Sequence, residues 1–187
     1  MSEARDIALL IGELADPDPA KRAAAAERLY HEGASLFSSA TSEWMKDAEF
    51  RGLVRPGGCV VGIAVAPKMF EAIRAASGSP RLAEVPPDQD AMEFELELSG
   101  HHFDILTARE PGGSGAIARY LQKFGEGIQQ IEVNVSNVDR ATEILRAQFG
   151  LDPIYPATRP GADGTRVNFF LAPAHGKKAL IELVESV

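Results

Sequence analysis

The chain has 187 residues, 45% hydrophobic and 25% charged, a mixture that fits a folded globular domain and excludes a disordered one. Acidic residues outnumber basic ones by 27 to 19, and the net charge of −8 repels phosphate backbones and anionic lipid, which argues against nucleic-acid and membrane partners. The single cysteine, Cys59, rules out an internal disulfide and fits a reducing, cytoplasmic setting.

Residues 6–15 carry Ile7, Leu10, Ile11 and Leu14 at helical spacing. The stretch Asp16-Pro17-Asp18-Pro19 breaks that pattern, because proline lacks an amide donor and the residue before it avoids helical backbone. The same stretch offers Asp18 as an N-cap and Pro19 as a first helical position. The run PAKRAAAAERLYHEGASLF then has a strong helical composition and is expected to break or end at Gly33. A third short helix fits SEWMKDAEF, residues 42–50. Residues 1–55 thus form a helical N-terminal extension. One helical pair buries no continuous core of its own, so the extension is expected to dock on the main domain or on a partner subunit.

After Arg55-Pro56-Gly57-Gly58 the periodicity turns extended. Residues 59–65 read as a strand, 68–76 as a helix ending at Gly78, and 82–85 as a short strand. In residues 92–98 the apolar Met92, Phe94, Leu96 and Leu98 alternate with Glu93, Glu95 and Glu97, the signature of a half-buried strand. Ser99-Gly100 turns the chain into a strand at 103–108, and a helix at 115–124 lies between Gly-rich turns. The same order then recurs: a strand at 128–135, a helix at 138–149 ending at Gly150, an extended run at 152–155, and strands at 167–171 and 180–184. VVGIAV from Val60 overlays QIEVNV from Gln130, Gly78 overlays Gly150, and FDILTA from Phe103 overlays IELVES from Ile181. The pattern is α+β: tandem βαβββ modules over 58–110 and 127–187, joined by the linker helix, in a main domain of residues 57–187.

Tandem βαβββ modules resemble the vicinal-oxygen-chelate superfamily, which includes glyoxalase I, extradiol dioxygenases and methylmalonyl-CoA epimerase. Residues 83–106, the segment AIARYLQKFGEGIQQIEVNV and the segments RPGADGTRVNFF and ALIELVE are similar to the epimerase branch. The resemblance implies a curled mixed sheet, a cup, whose metal ligands come from the first and last strand of each module. Carried over, these positions are Val60, Asp104, Gln130 and Glu182. The family pattern has histidine at the first and third. Here Val60 has no donor and Gln130 offers an amide oxygen. The set Asp104, Gln130 and Glu182 suits a hard divalent cation such as Mg²⁺ or Mn²⁺, or Co²⁺ or Ni²⁺, better than Zn²⁺; the alternative is a cup that works with no metal. Without one, two facing carboxylates repel, and one becomes a candidate acid or base.

On the same resemblance Glu93 aligns with a proton-transfer glutamate, so Glu93 and Glu182 are the candidate catalytic pair. A strand that also carries Glu95 and Glu97 reads equally as a solvated face. Arg159 and Arg166 flank the PGADG turn and suit a phosphate or carboxylate of the substrate. His101 and His102 sit at a hairpin, where exposure is the ordinary state, and His31 and His175 have no partner at ligand spacing. Cys59 has no neighbour in sequence to lower its pKa.

Three functions follow. The first is an isomerase or epimerase that takes a proton next to the carbonyl of an acyl-CoA or similar compound. The second is a non-catalytic protein that sequesters or senses a small molecule in the cup. The third is a regulatory protein whose helical arm recruits a partner. A small-molecule ligand and a homodimer are the expected partners, closed two-fold dimers being the common soluble assembly.

Overall fold

The Asp-Pro repeat separates the first two helices as its chemistry requires. In the computed structural model, which describes residues 2–186, α1 (Ser2–Glu13) ends before it and α2 (Pro19–Thr41) begins on its last proline. The Asp16 carboxylate accepts the Asp18 amide at 2.8 Å, and the Asp18 carboxylate accepts the Ala20 amide at 2.9 Å, so each shields a backbone donor that the helix leaves unpaired. Helix α2 does not stop at Gly33; it runs on to Thr41. An interior glycine costs about 1 kcal/mol relative to alanine, and contacts further along the helix outweigh it. Next come a turn of 3₁₀ helix, Trp44–Lys46, and α3 (Ala48–Leu53), whose Asp47 cap accepts the Phe50 amide.

The chain then divides into two compact units: residues up to Glu32 with Val61–Gln129, and Gly33–Val60 with the residues from Gln130 onward. The helical region is therefore shared between them. In the first unit β1 (Val60–Ala64), α4 (Pro67–Ala76), β2 (Ala91–Leu98) and β3 (His101–Ala108) form module one. Strand β3 pairs parallel with β1 and antiparallel with β2. One face of this sheet, with Val61, Ile63, Phe94, Leu96, Phe103 and Ile105, is buried with Phe70 and Ile73 of α4, and the Phe70 and Phe94 rings meet edge to face at 4.9 Å. Tyr30 of α2 continues this layer: it stacks on His101 at 3.9 Å and meets Phe103 edge-on at 6.4 Å, while Glu27 lies 3.0 Å from His101 Nε2. His101, expected to be an exposed turn residue, holds the helical region. On the opposite face α5 (Ala116–Phe124) packs Ile117 and Ala118 against Ala64, Ala91, Leu106 and Ala108.

In the second unit β4 (Gly127–Asn134), α6 (Val138–Phe149), β5 (Arg159–Pro160), β6 (Arg166–Ala174) and β7 (Lys177–Glu185) form module two, with strand order β4-β7-β6-β5. Strand β7 is parallel to β4 and antiparallel to β6, as β3 is to β1 and β2. Ile131, Val133, Phe170, Ile181 and Leu183 are buried together with Val138, Ala141, Ile144 and Leu145 of α6. His175 in the β6–β7 turn holds α2, its Nε2 lying 2.9 Å from Ser35 Oγ and its amide donating to Ser39 Oγ at 3.1 Å. Both hairpins turn on two residues of positive φ, Ser99-Gly100 and His175-Gly176, the conformation that matches strand twist.

The second strand of each expected βαβββ repeat is vestigial. Residues 82–85 and 152–155 lie outside the strands, and each leaves one backbone bond to its neighbour: Ala83 to Glu93 at 2.9 Å and Ile154 to Phe169 at 2.7 Å. Pro86, Pro87, Pro153 and Pro156 remove the amides a longer ladder would need. Among the described residues no helix is long and apolar enough to cross a membrane.

Candidate functional site

Register decides which residues share a face, since neighbours in a ladder point to the same side. In module one Gly62 pairs with Asp104, Glu95 with Asp104, and Glu93 with Leu106. Asp104 is therefore flanked by a glycine on one side and Glu95 on the other, and Glu93 is its diagonal neighbour, about 7–8 Å away by strand geometry. Asp104 is 5% exposed and Glu93 half-buried. Beyond Glu93 the face closes under α5 through Ala91, Leu106 and Ala108. Val60, Gly62 and Ala64, alternate residues of β1, bring no polar side chain to it.

In module two Glu132 pairs with Glu182, and Glu182 with Phe169. Gln130, Glu132 and Asn134 alternate along β4, so all three join Glu182 on the face opposite the α6 core. The Gln130 amide donates to the Glu182 carboxylate, and both residues are 8% exposed. The Asn134 amide donates to Glu132 Oε1 at 2.9 Å. Each carboxylate of this face is thus turned by a carboxamide from β4. Around them stand Val167, the half-buried Phe169 and the exposed Leu171 of β6, with Tyr155 edge-on to Phe169 at 6.0 Å. The Arg159 guanidinium lies over the Tyr155 ring, 4.3 Å from its centre, where the ring's negative face favours a cation.

Arg166 has a different setting. It donates to Asp139 at 2.5 Å and to Glu185 at 3.0 Å. Asp139, in the first turn of α6, also accepts the Thr158 hydroxyl. That hydroxyl and the Arg166 guanidinium hold the Asp139 carboxyl below the usual carboxylate range, and Asp139 in turn raises Arg166. Glu185 also accepts the Val138 amide at 2.9 Å, so Arg166 belongs to a network that fixes the start of α6.

Of the residues singled out in the sequence, Gln130 and Glu182 meet directly, Glu93 and Asp104 share a face, and Arg159 stands beside the aromatic pair. Glu132, Asn134, Tyr155 and Phe169 were not singled out. The signal for the first two was present: from residue 130 to 135 the odd positions Ile131, Val133 and Val135 are apolar, and the even positions are Gln, Glu and Asn. Cys59 is buried. Among the described residues no three His, Cys, Asp or Glu side chains converge as a metal site.

No protein-family model matches the chain, and no curated protein does. Among solved structures, it is similar to methylmalonyl-CoA epimerase from Mycobacterium tuberculosis, at 33% identity and TM-score 0.54, over 68% of this chain and 85% of that one. It is similar at 27% identity and TM-score 0.56 to a variant of the Streptomyces coelicolor epimerase in complex with 2-nitronate-propionyl-CoA, over 72% of this chain and 96% of that one. A methylmalonyl-CoA epimerase in complex with methylmalonyl-CoA and NH4+ matches at 27% identity and TM-score 0.55, again over 72% and 96%.

Proposed function

Since the chain belongs to the vicinal-oxygen-chelate superfamily and is similar to its methylmalonyl-CoA epimerases, we propose that it is an isomerase acting next to the carbonyl of an acyl-CoA or similar compound. The observation that carries this reading is Glu182, a nearly buried carboxylate on the face of module two opposite α6, oriented by the Gln130 amide. A base held in one orientation, with water largely excluded, is what removal of a weakly acidic proton needs. Gln130 is its positioning residue. Phe169, Leu171 and Tyr155 supply apolar surface for an acyl group, and Arg159 supplies a planar cation for a phosphate or carboxylate. Arg166, already answered by two carboxylates, has the smaller share in anion binding. Glu93, on the family pattern, is the second proton-transfer group, and Asp104 lies on the same face beside Glu95.

The family's metal meets an obstacle in module two. Gln130 directs its N–H, not its carbonyl oxygen, at Glu182, so one Glu182 oxygen is taken by an N–H donor. The amide would have to turn over before Gln130 could serve as a ligand. As placed, Gln130 and Glu182 do not fit a shared divalent ion, because Gln130 turns no oxygen toward it.

A binding protein without turnover is the second reading, favoured by β1: Val60, Gly62 and Ala64 offer neither ligand nor base beside Asp104. The two readings separate in heavy water. Propionyl-CoA and methylmalonyl-CoA are incubated with the protein in D2O, and deuterium at the carbon next to the thioester is followed by mass spectrometry. An isomerase incorporates deuterium, and Glu182→Gln slows incorporation about 100-fold or more, the scale of a lost general base. Saturable binding of the thioester with no exchange would replace the enzyme reading with the binding one.

A further inference from the structure

Resting on Glu182 as the proton-transfer group, we infer that the substrate is an acyl thioester whose reacting carbon carries an alkyl branch and no second carboxylate, unlike the methylmalonyl-CoA in complex with one similar epimerase. The ground is what register places round Glu182. Its ladder neighbours are Glu132 on β4 and Phe169 on β6, and the next residues of β7 on the same face are Leu180 and Val184. Leu171 and Val167 pair with those two, so the β6 side of Glu182 is a continuous apolar strip. The strip is not sealed into the core: Phe169 and Leu180 are half-buried, and Leu171 is 47% exposed. Apolar surface of this kind beside one oriented carboxylate is what a site for an alkyl group requires.

A substrate carboxylate would find no counter-charge there. Glu132 is the strand neighbour on the other side, and the two carboxamides that could donate to an anion, Gln130 and Asn134, each donate to a glutamate instead. The cations that the strands of module two bring to this face lie at its ends. Lys178 is exposed and four residues along β7 from Glu182, about 13 Å away by strand rise. Arg159 pairs with Val167, which sets its backbone about 12 Å from that of Glu182 along the sheet. Its guanidinium lies over Tyr155, the ring edge-on to Phe169. Arg166 alternates with Val167 and stands on the α6 face, where Asp139 and Glu185 hold it. A carboxylate one bond from the carbon that loses its proton is out of step with all three. Moving it from water to a place with no cation costs far more than the same move costs an alkyl group. Arg159 is placed instead for a phosphate on the carrier portion of the thioester.

The test is a comparison of binding that needs no turnover. The full chain is titrated calorimetrically at neutral pH with 2-methylbutanoyl-CoA and with methylmalonyl-CoA, which set an ethyl group and a carboxylate at the same place on the same carrier. The branched thioester is expected to bind at least about tenfold more tightly, because the carboxylate would be desolvated without a partner. Phe169→Ala should narrow that gap, and Arg159→Gln should weaken both thioesters by the same factor, with circular dichroism confirming that each variant folds. Equal or tighter binding of methylmalonyl-CoA by the wild type overturns the inference. So does an Arg159→Gln loss confined to methylmalonyl-CoA, which would assign the guanidinium to the acyl carboxylate, or a gap that Phe169→Ala leaves intact. Deuterium exchange into the same two thioesters separates this inference from the isomerase reading beneath it. The binding preference without exchange keeps the alkyl site and removes the isomerase. Exchange that favours methylmalonyl-CoA keeps the isomerase and overturns the alkyl branch, and failure to bind either thioester overturns both.

Discussion

The two modules have one backbone and opposite surfaces. In both, the first strand runs parallel to the last, the last pairs antiparallel with its hairpin partner, and the register matches pair for pair: Gly62 with Asp104 as Glu132 with Glu182, Glu95 with Asp104 as Phe169 with Glu182. On the face away from the helix the polarity is exchanged. Module one has small apolar residues on its first strand and Glu93, Glu95 and Glu97 on its hairpin strand. Module two has Gln130, Glu132 and Asn134 on the first strand and Val167, Phe169 and Leu171 on the hairpin strand. Only the last strand keeps its character, with Asp104 and Glu182 at equivalent places. A duplicated frame is held by its core face and its turns, which leaves the other face free to diverge. The difference between modules therefore lies in chemistry and not in architecture.

The hardest strike at that comparison is on the frame. If the two cores do equivalent work, Phe94→Ala in module one and Phe170→Ala in module two each lower the unfolding free energy by about 3–5 kcal/mol, since both side chains are fully buried. Denaturant unfolding of the two variants checks this, and a large loss in one with little in the other would break the equivalence. The next test concerns function. Glu182→Gln should reduce deuterium exchange about 100-fold or more, the scale of a lost general base. Asp104→Asn, at the matching position, where the parallel neighbour is Gly62 and not a glutamate, should reduce it less than about tenfold, well short of that scale. Equal losses would make both faces catalytic and erase the asymmetry.

How much of this could be read from the chain depends on how local the cause is. Alternation along 92–98 and the helical run from Val138 to Phe149 are written in consecutive residues, and their elements stand where periodicity puts them. Gly33 misled because a glycine is a weak local signal. The helix continues past it on contacts supplied from about 140 positions away, where His175 meets Ser35. His101 misled for the same reason: its turn position suggests exposure, and its ring is stacked on Tyr30, 71 positions earlier in the chain. Glu182 was singled out through the family pattern, but its neighbour Glu132 was not, because the family pattern singles out no residue there. Only strand register reveals that the two residues are ladder neighbours on one face.

A smaller effect sharpens the boundary between the modules. The Tyr120 hydroxyl donates to the Ile128 carbonyl at 2.9 Å, and burial pushes the phenol up to about 12. Its folded value lies above the usual 10, so its contribution is complete below that value and is lost as pH rises through about 12. Tyr120→Phe should cost about 1 kcal/mol at neutral pH, one hydrogen bond's worth. It should also flatten the loss of stability in strong alkali, and thermal unfolding from neutral to alkaline pH measures both.

The smallest expected effect belongs to Asp139. Module two begins its helix with a carboxylate that takes the Thr158 hydroxyl and the Arg166 guanidinium, whereas module one begins α4 with Ala66, whose amide donates to Glu126 at 3.0 Å. Asp139 titrates below its ordinary value in the folded chain, so its contribution stands above that value and is lost as pH falls through the lower, folded one. The group is largely exposed and solvent screens it, so Asp139→Asn should cost less than about 1 kcal/mol near neutrality. The variant and the wild type should converge in acid. High salt should shrink the gap in the same way, because a screened ion pair weakens as ionic strength rises. A gap unchanged by both acid and salt would trace the loss to the hydroxyl contact with Thr158 instead of the Arg166 ion pair.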